Sequence, residues 1–372
     1  MKIIYLANIR IPTEKAHGWQ IMKMCGTFSV LGHQVELVVP RRFNNLKADP
    51  FTYYDLPANF KITELPCLDL IFLDKIIGNL AFWLATATFL LTSRIYVFFR
   101  KYDIIYTREE QFGLFFKPSF LELHFLPATV RPYHRLFWRQ FKRIIVLTNF
   151  IKTALTSDGI AADKILVAPD GVDLADFGLT LSSSEAREKV NLSPNKKLIV
   201  YTGHLYGWKG AQVLAEAAKF LPDEARAVFI GGTKADVEAF REKNAGKANI
   251  LILGHRPHQQ IPFYLRSADV LVLPNSGKEK ISQFYTSPLK LFEYLASGVP
   301  IVASNLPSLR EILNDSNSVL VEPDDPGLLA AGINRVLTQQ KLAEDISRQA
   351  RADAAKYSWE KRAEKIVSFI NS

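Results

Sequence analysis

Short β-branched runs alternate with helical stretches along most of this chain, and that alternation constrains its fold more than any other feature. KIIYLA precedes a helical stretch from Trp19 to Leu31, and Gly32 then leads into VELVV. YDIIYTR, RIIVLT, ILVAP, LIVYTG, AVFIGG, ILILG, VLVLP and PIVAS follow, most of them separated by helical segments. Strands linked through helices run parallel, so the pattern predicts a doubly wound α/β architecture. The strands are too many for one open sheet of ordinary size. The polar stretch from Leu181 to Glu185, followed by SPNKK at Ser193, is the best linker candidate. Two Rossmann-like domains with a cleft between them are therefore expected.

The net charge of +9 calls for an anionic partner: nucleic acid, an anionic membrane surface or a phosphate-bearing substrate. No helix-turn-helix, zinc-finger or RRM signature is present, so nucleic acid is not expected. Cys25 and Cys67 stand far apart without a Cys/His ligand cluster, which argues for a reducing compartment and against a structural metal site. The chain opens directly on a strand pattern, and no secretory signal is expected. The uncharged stretch Ile76–Ser93 is long enough to span a membrane, but its Gly78, Asn79 and Ser/Thr residues favour a buried helix over membrane contact. In RPYHRLFWRQFKRII, Arg131, Arg135, Arg139 and Lys142 recur at helical spacing. They make either a solvated basic face or a surface for anionic lipid.

Three strand ends in the second half suit anions. LIVYTGHLYGWKG supplies Gly203, His204 and Lys209, and AVFIGGTK supplies Gly231 and Gly232. In TSPLKLFEYLASGVP, Ser287 is the expected N-cap, Pro288 the first helical residue, and Gly298 the stop of a helix from Leu289 to Ala296. Helix starts at the C-terminal edge of a parallel sheet bind phosphate through free N–H groups. Lys290 is expected to pair with Glu293 one turn away. In the first half, Gly18 opens a helix beside Lys15 and His17, either for helix entry or for close approach of a substrate. FLELHFLP sets Glu122 and His124 on alternate positions of an extended segment, with His124 either structural or catalytic.

Taken together, TEKAHGWQIMKMC, ELH, APDGVDLADF, GHLYGWKG, LGHRPHQQIPFYLRSADVLVLPNS and SPLKLFEYLASGVPIVAS resemble the family 4 glycosyltransferases over essentially the whole chain. The resemblance implies the GT-B fold, in which two Rossmann-like doubly wound domains face each other across a cleft. The acceptor-binding domain would span 1–180, completed by a terminal helix at 357–372, and the nucleotide-sugar domain would span 181–356. It implies a retaining, metal-independent transfer from a nucleoside-diphosphate sugar, UDP- or GDP-linked, with no other cofactor. By this resemblance Glu293 would hold the ribose hydroxyls, and Lys209 would neutralise the leaving diphosphate. His204 stands near a position where the family often has arginine. Thr286, Ser287 and Leu289 match the phosphate cradle, Arg256 the base-contacting loop, His124 the histidine near the anomeric centre, and Gly18 the close-approach glycine.

Tyr285 departs from the family pattern, which places a sugar-binding glutamate at that position. Altered sugar recognition is the expected consequence. The expected acceptor is a sugar or a lipid-linked sugar in polysaccharide, glycolipid or cell-envelope glycan synthesis. The expected location is cytoplasmic, with peripheral contact at the inner face of the membrane, where Lys15, His17 and the four basic residues near 131–142 would lie toward acceptor or lipid. Two other readings stay open: a GT-B-fold nucleotide-sugar epimerase, and a catalytically silent nucleotide-binding protein.

Overall fold

The structure is a computed structural model that describes residues 1–73, 76 and 78–372. The chain divides into two units, one of residues 1–168 with 359–372 and the other of residues 169–358. The first holds a parallel sheet of β1 (Lys2–Leu6), β2 (Gln34–Arg41), β3 (Lys61–Pro66), β4 (Ile104–Thr107), β5 (Ser119–Leu123), β6 (Arg143–Val146) and β7 (Ile165–Val167). Its strand order is β3-β2-β1-β4-β5-β6-β7. The second holds β8 (Lys197–Thr202), β9 (Ala225–Ile230), β10 (Ile250–Gly254), β11 (Val270–Leu273), β12 (Ile301–Ser304) and β13 (Val319–Val321). Its order is β10-β9-β8-β11-β12-β13, again all parallel. Both sheets therefore start in the middle, wind one way, and then cross back to wind the other way. The gap opened at the reversal, β1/β4 in one unit and β8/β11 in the other, is where ligands bind in such sheets.

Burial on both faces explains the apolar strands. Val200, Val228, Leu271 and Leu273 pack on one side of the second sheet with Leu291, Leu295 and Leu309. Ile199, Tyr201, Ala227, Phe229, Val270 and Val272 pack on the other with Leu214 and Ile333. The alternation follows the two-residue period of a strand.

Several expectations need correction. The units divide at 168/169 and 358/359, not at 180/181 and 356/357. The segment after β7 packs within the second unit: the Val172 N–H donates to the Tyr357 carbonyl at 2.9 Å, and Phe177 is buried in that unit's core. The stretch from Ile76 is not a fully buried helix. Ile77 lies outside the described residues, and the helix Asn79–Phe98 buries Ala81, Ala85, Phe89 and Val97 against the sheet. Its opposite side leaves Leu80, Trp83, Leu91, Ile95 and Phe98 exposed, Trp83 at 58% and Phe98 at 73%. The basic helix is also shorter than expected. It runs from Pro132 to Arg139, Arg131 precedes it, and Lys142 falls outside it, where its N–H donates to the Ser119 carbonyl. Arg135 is not a free surface charge, because it binds Asp158 at 2.6 Å.

The terminal helix Trp359–Asn371 returns to the first unit as expected. Trp359 packs edge-on to Trp19 with ring centroids 5.6 Å apart, and Arg362 donates to the Glu122 carboxylate at 2.9 Å. Glu122 is wholly buried and also accepts from Tyr106 at 2.6 Å and Gln20 at 2.9 Å. Burial pushes its pKa up, but Arg362, Arg108 and the His124 hydrogen bond outweigh burial and hold it well below the usual carboxylate range. Removing one partner of such a buried pair strands the other charge. Glu122→Ala is expected to lower stability by about 3–5 kcal/mol, read from urea unfolding of the whole chain, and to loosen the terminal helix in hydrogen exchange.

Candidate functional site

The second unit gathers its anion-binding features around the β8/β11 reversal. Gly203 ends β8 at φ 120° and Gly231 ends β9 at φ 112°, conformations that residues with a Cβ rarely adopt. A Cβ at Gly231 would overlap the Gly203 carbonyl, so the two loops lie backbone to backbone. After β8 a short turn, Gly207–Lys209, leads to Gly210 at φ 71°. A Cβ there would overlap the Pro274 carbonyl, which follows β11. Lys209 is thus planted at the reversal, with its ammonium 3.9 Å from the Trp208 ring centroid. Burial pulls its pKa down to about 8.

The helix Leu289–Ser297 ends at Gly298, φ 64°, as its sequence predicts, one residue later than Ala296. Its start differs from expectation. Pro288 rather than Ser287 occupies the capping position, no side chain caps the helix, and the Ser287 hydroxyl accepts from the Asp170 N–H at 3.3 Å. The PDGVD segment therefore holds the serine that the sequence assigned to the helix.

The expected Lys290–Glu293 pair is also absent. Glu293 lies 3.6 Å from His258 Nε2, while the Lys290 ammonium sits 3.7 Å above the Tyr201 ring. Lys290 is buried, and among the described residues its Nζ has no hydrogen-bond partner. It points toward β8, since a Cβ built on Gly203 would lie 3.8 Å from Nζ. Burial, and then Lys209, hold its pKa well below the ordinary lysine range, with Glu293 acting in the opposite sense.

The remaining candidates of this unit surround that core. His204 stacks on Tyr206 at 4.8 Å, and its carbonyl accepts from the Tyr201 hydroxyl at 2.5 Å. Arg256 follows β10 and donates to the Tyr264 hydroxyl at 3.1 Å. Tyr285 closes a wide turn, Ile281–Tyr285, and buried Thr286 follows it. Asn275 was not foreseen. It follows β11 at the reversal, is wholly buried, and leaves both side-chain amide atoms without a partner among the described residues. The signal for it was the strand end VLVLPN, which gains meaning only once β11 is known to lie beside β8.

The first unit carries its own candidates. A Cβ at Gly18 would overlap Thr13 and the Tyr54 hydroxyl, so this glycine serves tight packing at the helix entry. Lys15 precedes that helix. His17 is pulled down to about 4 by burial and then by Arg108, Lys15 and His124, and is neutral at pH 7. His124 Nε2 lies 2.6 Å from Glu122, and because the ionised carboxylate only accepts, Nε2 carries the proton. Arg108 and Arg362, which hold Glu122, were not foreseen; no local pattern marks that Arg362, 240 residues away, would meet Glu122.

Residues 182–353, within the second unit, match the family model described as glycosyl transferases group 1. The match covers just under half of the chain. The chain is 30% identical over 217 residues to D-inositol 3-phosphate glycosyltransferase of Xylanimonas cellulosilytica, covering 55% of this chain and 50% of that one. It is 26% identical to UDP-Gal:alpha-D-GlcNAc-diphosphoundecaprenol alpha-1,3-galactosyltransferase of Escherichia coli, covering 68% of this chain and 70% of that one. The chain spans 50–61% of the length of the first curated relatives it matches. Among solved structures, Anabaena HepE in complex with UDP-glucose aligns with TM-score 0.74 and 18% identity, covering 100% of this chain and 99% of that one. That likeness and the two parallel sheets show the fold class, α/β of the GT-B type.

In this domain the Gly210 contact fixes the position of Lys209. A left-handed residue with a Cβ costs roughly 1–2 kcal/mol before any clash. Gly210→Ala is expected to lower the melting temperature and to raise hydrogen exchange in the 203–210 loop. Unchanged exchange there would show that the loop does not depend on this contact.

Proposed function

We propose that this protein is a retaining, metal-independent glycosyltransferase. It would move a sugar from a nucleoside-diphosphate sugar to a sugar or lipid-linked acceptor in glycan synthesis. The observation that carries the reading is buried Lys290, its Nζ without a hydrogen-bond partner among the described residues, with half-buried Lys209 on the turn at the β8/β11 reversal, beside a helix start without a side-chain cap. Such a place favours a diphosphate. A UDP-linked donor is the first choice, because HepE is described as a complex with UDP-glucose and the E. coli relative is named for UDP-Gal.

In this reading Lys209 neutralises the negative charge that grows on the diphosphate as the glycosidic bond breaks. Glu293 accepts from the ribose hydroxyls, and His124, oriented by Glu122, addresses the donor sugar. The acceptor hydroxyl attacks the anomeric carbon on the face the diphosphate leaves. The bond electrons stay on the diphosphate oxygen, which takes the acceptor's proton. Positive charge from lysine fills the part that a divalent metal plays elsewhere.

Thermal shift with UDP, GDP and ADP, with and without EDTA, tests the reading. One nucleotide is expected to stabilise the fold by about 2.7 kcal/mol at a hundredfold excess over its dissociation constant, unaffected by EDTA. No shift with any of them overturns it. Because the protonated form of Lys209 is the one that attracts phosphate, UDP-glucose affinity is expected to fall as pH rises through about 8. Lys209→Met should weaken binding and reduce that pH dependence, and it should abolish sugar release, as should Glu293→Ala.

The exposed side of the helix Asn79–Phe98 supports a membrane-bound acceptor. Trp83, Leu91, Ile95 and Phe98 are apolar and exposed, and exposed Arg94, Arg100 and Lys101 lie among or just beyond them on a chain of net charge +9. Aromatic and basic residues together suit an anionic lipid surface. The protein is expected to co-sediment with phosphatidylglycerol vesicles and not with phosphatidylcholine vesicles, and to lose binding in a Trp83→Ser/Phe98→Ser variant. Failure to bind the anionic vesicles would remove the membrane from this reading and leave a soluble acceptor.

A further inference from the structure

A buried ammonium without a partner is an unusual thing for a fold to keep. Desolvation penalises the charged group, and well-packed apolar residues serve a core better. Lys290 is 7% exposed, stands at the second position of a nine-residue helix, and makes no hydrogen bond among the described residues. The carboxylate that could have paired with it, Glu293, turns to His258. The Tyr201 ring face 3.7 Å away attracts the ammonium but accepts no conventional hydrogen bond. Lys209 acts on the same ammonium as a repelling charge. Two cations held near each other in a desolvated place either give up a proton or are stabilised together by an anion.

The surroundings fit such an anion. Lys290 extends toward Gly203 at the end of β8, the Gly207–Gly210 turn brings Lys209 to the same reversal, and the uncapped helix start adds backbone N–H groups. Asn275, pressed against the same turn through Pro274, adds a buried amide with both polar atoms unpartnered among the described residues. We propose that Lys290 is a second cation for the donor's diphosphate, acting with Lys209 at the β8/β11 reversal. This rests on the nucleotide-binding reading given above and assigns it a residue that the glutamate pairing had hidden. The lysine binds and orients phosphate, and is not required for the fold.

The test compares wild type with Lys290→Met by calorimetric titration of UDP and of uridine, alongside melting temperatures without ligand. A hydrogen-bonded charge on phosphate corresponds to roughly a ten- to hundredfold change in affinity. The variant is expected to lose that much for UDP, to keep its uridine affinity within about twofold, and to melt no lower than wild type because a buried charge is gone. Equal losses for UDP and uridine, or a lower melting temperature, would make Lys290 structural and overturn the proposal. Unchanged UDP affinity in the variant, with wild type binding well, would overturn it while leaving the nucleotide reading intact. Wild type that binds none of UDP, GDP or ADP would overturn both. If Lys290→Met does not fold, Lys290→Gln, neutral and still polar, carries the same comparison.

Discussion

Everything at the candidate site depends on the reversal in strand order between β8 and β11. A parallel strand must be left through a helix on one face or the other, and the right-handed crossover sends β9 and β10 to one side of β8 and β11 to β13 to the other. The loops leaving β8 and β11 therefore part company, and neither crossover helix closes the space between their ends. The chain then brings the two loops together where Gly210 lies against Pro274 without room for a Cβ and where the Ser276 N–H donates to the Trp208 carbonyl at 3.0 Å. Those contacts position Lys209, and Lys290 reaches the same strand end from the following helix.

The two sheets share the order of their first six strands, and the two units each hold one buried charge treated in an opposite way. In the first, a buried carboxylate, Glu122, is surrounded by Arg362, Arg108, His124, Tyr106 and Gln20, so the charge is compensated within the fold. This network ties the terminal helix to β5. In the second, Arg187 is paired with Asp269, but Lys290 is buried without a hydrogen-bond partner among the described residues, and the carboxylate nearest to it along the helix is turned elsewhere. A compensated charge holds structure, while an uncompensated one is stabilised by what binds. This difference is what the proposed anion site in the second unit rests on.

The sequence made the architecture largely legible because strands buried on both faces must be apolar throughout, and ten of them stand out as such runs. β5 was marked only as part of an extended segment, and β3 and β13 did not stand out. KITELP mixes polar and apolar residues at the edge of its sheet, and VLV is three residues long. Helix ends written in Gly298 and Gly32 were readable, since their backbone angles follow from local sterics. Side-chain partners were not. Nothing near Ser287 in sequence says that the Asp170 N–H will claim its hydroxyl, and nothing near Lys290 says that His258 will draw Glu293 away. Helical spacing gave proximity, and the third dimension decided the pairing.

Tyr285 belongs to the same lesson. Glutamate at this position in the resembled family would carry a negative charge. Here the position is held by a phenol at the end of a wide turn, followed at once by buried Thr286 and the uncapped helix start. The hydroxyl can both donate and accept a hydrogen bond, whereas an ionised carboxylate accepts only. Sugar hydroxyls that donate to glutamate can instead receive a bond from Tyr285. In the proposed reading the substitution bears on which sugar is read, while the positive charge for the diphosphate would come from Lys209 and Lys290.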